Sequence, residues 1–270
     1  MYAAHSRSGG RIVAFVGAVG ATRAGYVALR RMKPGGAGRW ERRNYSGRTL
    51  DLCAGPAVAV GTALGALAPR GLPARARGGV SLAVAAAGAC GVYDDMAGAG
   101  DPRRGFRAHL SALRQGEITS GAVKLFGIGA AGLAAGALLK ERPVDKVLAG
   151  VVIAGTAHFI NLVDVRPGRA LTAALALAAP GLLKRNGAFA AAPLGAAAAV
   201  VADDLDERTM IGDAGAHALG AAVGAAIVAS NGRVGLVAHA AAVVAATVRG
   251  EQVSALAKDL AVPARQARPA

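Results

Sequence analysis

Residues 187–230 read GAFAAAPLGAAAAVVADDLDERTMIGDAGAHALGAAVGAAIVAS, two apolar runs parted by a short acidic loop. A helix needs roughly 17 to 25 mainly apolar residues to cross a bilayer, and both runs approach that length. The carboxylates between them therefore belong at a membrane edge, where charge is expensive to keep and marks a functional site by default.

Working outward, the same pattern recurs along the chain. Apolar runs fall at 11–31, 50–69, 78–96, 121–139, 144–163, 168–184, 187–202, 213–230 and 233–248. Composition agrees: 54% of the 270 residues are hydrophobic, mean hydropathy is +0.41 and only 17% are charged, against roughly 25% charged in a soluble chain. The expectation is an all-α, polytopic integral membrane bundle of about nine transmembrane helices. Residues 1–250 would form one transmembrane domain with cytoplasmic active-site loops, and 251–270 a cytoplasmic tail. Met1 to Gly10 is polar and the following run continues as a full span, so no cleavable signal peptide is read.

Small residues must hold such a bundle together. Aromatics are 4% and glycines number 39, which favours close backbone approach at faces such as Gly127/Ala131/Ala135 and Gly220/Gly224. These faces would also allow a homodimer. Two cysteines, Cys53 and Cys90, offer neither a disulfide framework nor a CxxC metal site.

Loop charge sets the expected orientation. With the N-terminus outside and the C-terminus cytoplasmic, the loops richer in Lys and Arg lie inside, as the positive-inside rule requires. Of the 16 Asp and Glu residues, only Glu141 and Asp145 then fall outside. The net charge of +15 is assigned to anionic lipid headgroups in the bilayer, with no nucleic acid partner. A transporter would keep its charges near mid-membrane, whereas these lie at one edge.

Four cytoplasmic segments concentrate the chemistry, and a basic loop precedes them. That loop, RWERRNYSGRTLDL at 39–52, gathers Arg39, Arg42, Arg43 and Arg48 around Asn44 and Gly47; it reads as a topology-setting loop or a phosphate-binding surface built on Arg forks. GVYDDMAG at 91–98 ends an apolar run with Asp94 and Asp95. Acids at a helix C-terminus oppose the macrodipole, so a divalent cation or arginines such as Arg103 and Arg104 should offset them. GEITSGAVKLFG at 116–127 puts Lys124 one turn inside the next run, where a helix N-terminus also supplies donors for an anion. AHFINLVDVRPGRAL at 157–171 places His158, Asn161, Asp164 and Arg166 near helical spacing. Finally, Gly212-Asp213-Ala214-Gly215 opens the run at 213–230; Asp213 reads either as an N-cap or, with Asp94, Asp95 and Asp164, as part of a metal–phosphate site.

The four motifs in this order resemble the polytopic polyprenyl-phosphate N-acetylhexosamine-1-phosphate transferases, the MraY/WecA family. The Asp94-Asp95 pair, Lys124, Asn161-Leu162-Val163-Asp164 and Met210-Ile211-Gly212-Asp213-Ala214-Gly215 carry the resemblance, the last set most specifically. It implies a Mg2+-dependent enzyme of the inner (plasma) membrane that transfers a sugar-1-phosphate from a UDP-sugar to polyprenyl (undecaprenyl) phosphate and releases UMP. By the same resemblance Asp213 and Asp94 would ligate Mg2+, Asp94 and Asp95 would position or deprotonate the lipid phosphate, Lys124 would hold phosphate, and Asn161 and Asp164 would line the nucleotide side. Asn44 and Arg48 are the candidate phosphate-binding residues of the basic loop. The chain departs from the family pattern at Val165-Arg166-Pro167-Gly168-Arg169, at Ala216, and after residue 231, where His239 in mid-span stands in place of a histidine cluster. The alternative is a catalytically degenerate relative that binds lipid phosphate or nucleotide as a partner in envelope assembly.

Overall fold

The structure is a computed structural model that describes residues 2–98, 111–117 and 119–260, with side chains from residue 8 onward. Arg103 and Arg104, as well as the tail beyond residue 260, lie outside the described residues.

Apolar, Ala- and Gly-rich sequence becomes helix throughout. In chain order the elements are α1 (Tyr2–Met32), the single turn α2 (Ala37–Trp40), β1 (Glu41–Arg43), β2 (Thr49–Asp51), α3 (Ala54–Leu67), α4 (Ala74–Ala97), α5 (Ser120–Leu139), α6 (Pro143–Leu162), α7 (Arg169–Ala178), α8 (Ala188–Leu205), α9 (Gly212–Ser230), α10 (Arg233–Val248) and α11 (Gly250–Asp259); a 3-10 turn at Ala179–Leu183 extends α7. Among the described residues six helices are long and apolar enough to cross a membrane, and seven if α10 and α11, bent by 86° at their junction, count as one broken span. The molecule is a helical membrane bundle.

All nine expected runs are mainly helical, but two fall short of the expected length. The run at 50–69 loses its start because residues 49–51 are strand, leaving a 14-residue α3. The run at 168–184 changes from α to 3-10 helix at Ala179-Pro180, where proline lacks the N–H that an α-helix interior uses. The run at 233–248 is helical over its whole expected length, as the 16-residue α10.

Helix α9 is the central post. Its side chains from Ala214 to Ala226 are buried without interruption, and it packs against α3, α4, α6 and α8. Close approach makes this possible, as the small-residue faces predicted. A Cβ at Gly220 or Gly224 would overlap the backbone of α6 at Thr156-Ala157 or Val152-Ile153. Gly132 and Gly136 of α5 likewise meet α6 at Gly150 and Lys146. Large apolar side chains instead point outward, with Ile12, Val60, Leu82, Phe126 and Leu133 all exposed, the arrangement expected where lipid rather than water surrounds the bundle.

Polar contacts collect at the two ends. One end carries the hairpin, the C-termini of α4 and α8 and the N-termini of α5 and α9. The opposite end carries Arg75 on Glu141, Arg233 on Asp145 (2.7 Å) and Lys140 on the Asn231 carbonyl (2.7 Å). Among the described residues, Glu141 and Asp145 thus lie at the end opposite Asp94, Asp95 and Asp213.

The hairpin is an addition to the expected architecture. Its strands pair antiparallel, Glu41 with Asp51 and Arg43 with Thr49. Asn44 Oδ1 accepts from Ser46 N (3.0 Å) and Arg48 N (2.9 Å), while Gly47 takes φ +80°, a left-handed conformation that glycine adopts without a Cβ penalty. Asp51 then anchors the hairpin: its carboxylate accepts from Thr209 Oγ1 (2.8 Å) and faces Arg30 (3.2 Å), and its carbonyl accepts from Met210 N (3.0 Å).

Candidate functional site

Three glycines draw the site together. Gly91 sits where α4 touches the first turn of α9, and a Cβ there would overlap the Asp213 and Ala214 backbone. Gly55 on α3 meets the Ile211 carbonyl in the same way. Gly212, with φ +53°, turns the chain into α9 with Leu52 and the Asp95 carboxylate packed where a side chain would stand. Without these contacts the last turn of α4 could not reach the first turn of α9.

Asp95 uses that proximity to hold the helix start. Its two carboxylate oxygens accept from Asp213 N (3.1 Å) and Ala214 N (3.0 Å), so it caps α9 from a different helix. A carboxylate there satisfies two otherwise orphaned donors and favours the positive end of the helix dipole. Asp94, one residue earlier, projects toward Lys124. The Lys124 ammonium donates to Asp94 Oδ2 (2.6 Å) and to Asp213 Oδ2, joining α4, α5 and α9. All three side chains keep some access, at 18%, 19% and 25% exposure for Lys124, Asp94 and Asp213. The cluster is a partly open edge site rather than a sealed ion pair.

Asp164 stands beside this group, just past α6, where its backbone N–H donates to the Asn161 carbonyl (3.2 Å). Burial, then the nearby charges of Asp204, Asp213 and Asp95, push its carboxyl well above the ordinary carboxylate range. The loop that carries it is pinned by Asp204 Oδ2, which accepts from Gly168 N (2.7 Å). Asn161 lies on the last turn of α6 and enters the site only through its carbonyl among the contacts described.

Asn44 and Arg48 are placed differently. Both meet Glu207 rather than the acid cluster: Asn44 Nδ2 donates to Glu207 Oε2 (2.7 Å), and Arg48 lies 3.3 Å from the same oxygen. With the Asn44 carbonyl oxygen already committed to the turn, these residues brace the hairpin against the loop after α8. The hairpin residue that reaches the cluster is Arg42, whose guanidinium donates to the Asp95 carbonyl.

Sequence reasoning thus found Asp94, Asp95, Lys124, Asp164 and Asp213 as neighbours, named Arg42 only as one of four arginines of the basic loop, and missed Glu207 and His217. The His217 ring Nδ1 lies 2.8 Å from the Asp213 carbonyl, one turn along α9. That four-residue offset from Asp213 was visible in the sequence. Arg42 and Glu207 carried no such signal, since their partners lie 53 and 163 positions away.

The donor set suits a cation that keeps ligands from elsewhere. No group of three or more His, Cys, Asp or Glu side chains forms a metal cage among the described residues. Asp94 and Asp213, however, both aim at the point now taken by the Lys124 ammonium, and two carboxylates with water and phosphate oxygens are the usual company of magnesium. Comparison with protein-family models and with curated proteins finds no match for this chain.

Proposed function

We propose that the chain transfers a sugar-1-phosphate from a UDP-sugar to polyprenyl phosphate at the cytoplasmic face of the inner membrane, releasing UMP. The supporting observation is Lys124 held between Asp94 and Asp213 at one end of the bundle, beside Asp95 and Asp164. Carboxylates outnumber the single ammonium at this point, and a divalent cation would offset their charge as they ionise. In this reading the chain traverses the membrane nine times, with α3 and α7 as short crossings, and carries its N-terminus outside.

Phosphoryl transfer asks a protein mainly for placement and charge neutralisation. Asp94 and Asp213 would hold Mg2+, which would supply Lewis-acid stabilisation of charge on the transferred phosphoryl group. Lys124 then turns its ammonium from the acids to a phosphate oxygen. Asp95 keeps the start of α9 fixed, so that Asp213 cannot drift from the reacting groups. The lipid phosphate oxygen attacks the sugar-bearing phosphorus, and the bond from that phosphorus to the UMP oxygen breaks. An edge site fits both substrates, one dissolved in water and one anchored in lipid.

The experiment is UMP release by the purified protein with undecaprenyl phosphate, Mg2+ and a panel of UDP-sugars. Release should fall by at least about a hundredfold in Asp213→Ala, Asp94→Asn and Lys124→Met, as expected when a charge-stabilising group is removed, and should stop on chelation. Binding of lipid phosphate or nucleotide with no UMP from any donor would instead identify a phosphate-binding partner in envelope assembly. The double engagement of Lys124, which already satisfies both acids, is the observation that favours that second reading.

A further inference from the structure

The end of the bundle away from the acid cluster contains a cavity of about 590 Å3, within the usual range for a ligand site. Leu72, Leu139 and Phe189 form apolar wall, while Arg75, Lys140 and Arg185 bring three cations to it. Asn186 closes one side by donating from Nδ2 to the Ala229 carbonyl (2.7 Å), which ties the start of α8 to the end of α9. A second hollow of about 650 Å3, walled in part by Val13, Leu64 and Leu67, shares Gly71 with the first.

The cations are poorly matched by acids of the chain. Arg75 pairs with Glu141, but Glu141 is 79% exposed, and water-screened pairs of this kind contribute little. Lys140 spends a donor on the Asn231 carbonyl (2.7 Å), and burial pulls its pKa down; an ammonium desolvated without a full counter-charge gains from a bound anion. Arg185 is exposed and has no hydrogen-bond or ion-pair partner among the described residues.

Cationic groups beside apolar wall select an amphiphile with an anionic head. A small hydrated anion would gain nothing from Leu72, Leu139 and Phe189. We propose that this cavity binds an anionic phospholipid of the adjacent leaflet, its phosphate among Arg75, Lys140 and Arg185, one acyl chain along the apolar wall and the other toward the second hollow. The bound lipid braces the ends of α4, α5, α8 and α9. The proposal does not rest on sugar-phosphate transfer, because the site lies at the other end of the bundle.

Native mass spectrometry of the purified full-length chain tests it with three probes: phosphatidylglycerol, phosphatidylcholine with the same acyl chains, and inorganic phosphate. Phosphatidylglycerol should remain bound while phosphatidylcholine is lost, and inorganic phosphate at equal concentration should not displace it. Each basic residue near a lipid phosphate is worth about 1 kcal/mol, so affinity should fall about fivefold in Arg185→Ala and about thirtyfold in Arg185→Ala/Lys140→Ala. Arg185→Ala breaks no described contact, so its fold is expected to survive, with size-exclusion elution as the control. Equal retention of the two lipids, displacement by inorganic phosphate, or unchanged affinity in Arg185→Ala would each overturn the assignment.

Discussion

Carboxylates near one another do not all do the same work, and the difference lies in what each one's oxygens meet. Asp95 spends both on backbone N–H groups of α9, Asp94 and Asp213 share the Lys124 ammonium, and Asp164 faces other acids. Asp164 is therefore a residue outside the helices whose ionisation is opposed by its surroundings. Its carboxyl titrates above the unfolded value of about 3.9, so the folded chain retains a proton that the unfolded chain has released. Stability must then decline as pH rises from about 4 toward the folded-state value, with no contribution at lower pH, where both states hold the proton. Asn lacks the titration but matches the protonated shape. Asp164→Asn should consequently unfold at a higher temperature than the native protein at pH 8, and the gap should close toward pH 4. Thermal unfolding in detergent across that range measures it, and a gap independent of pH would contradict the assignment.

At the scale of elements, helix placement was legible in the sequence wherever one apolar run made one helix. Residues 78–96, 121–139, 144–163, 187–202 and 213–230 lie within or within a residue of α4, α5, α6, α8 and α9. Hydropathy does not record where the backbone finds partners outside its own run, and the misplacements follow from that. Asp51 is bound to Thr209 and Met210 across the fold, which turns the expected start of a span into strand. The site was partly legible for a similar reason: residue types and their order identified Asp94, Lys124 and Asp213, while the cap that Asp95 places on α9 depends on how closely two helices pack. Gly91 sets that distance. Gly91→Val should drive α4 from α9 and cost about 1–3 kcal/mol, the usual penalty of overpacking, with loss of the Lys124 bridge. Gly129→Ala on α5, where a Cβ meets nothing within 4 Å, should leave stability unchanged or raise it by up to about 1 kcal/mol through helix propensity. Thermal unfolding of the two variants side by side makes the comparison, and equal effects would show that close packing at Gly91 does not hold the site.

For the whole molecule, polarity at the two ends carries an orientation that can be measured. The hairpin end presents Arg39, Arg43 and Arg48 as exposed side chains and holds the acid cluster, and the positive-inside rule directs that end to the cytoplasm. The opposite end exposes Leu183 at 87%, between α7 and α8, whereas Tyr45 at the hairpin tip is 57% exposed. Cysteine placed at these positions gives one reporter for each end. The native thiols interfere little, since Cys53 is buried and Cys90 only partly accessible, and Cys53→Ala/Cys90→Ala removes them. On that background Leu183→Cys should react in intact cells with a thiol reagent that does not cross membranes. Tyr45→Cys should react with the same reagent only after the cells are permeabilised. The reverse pattern would turn the molecule over and place the acid cluster on the outer face, away from a cytoplasmic nucleotide donor. Labelling of both positions in intact cells would mean that the two ends are not separated by a bilayer.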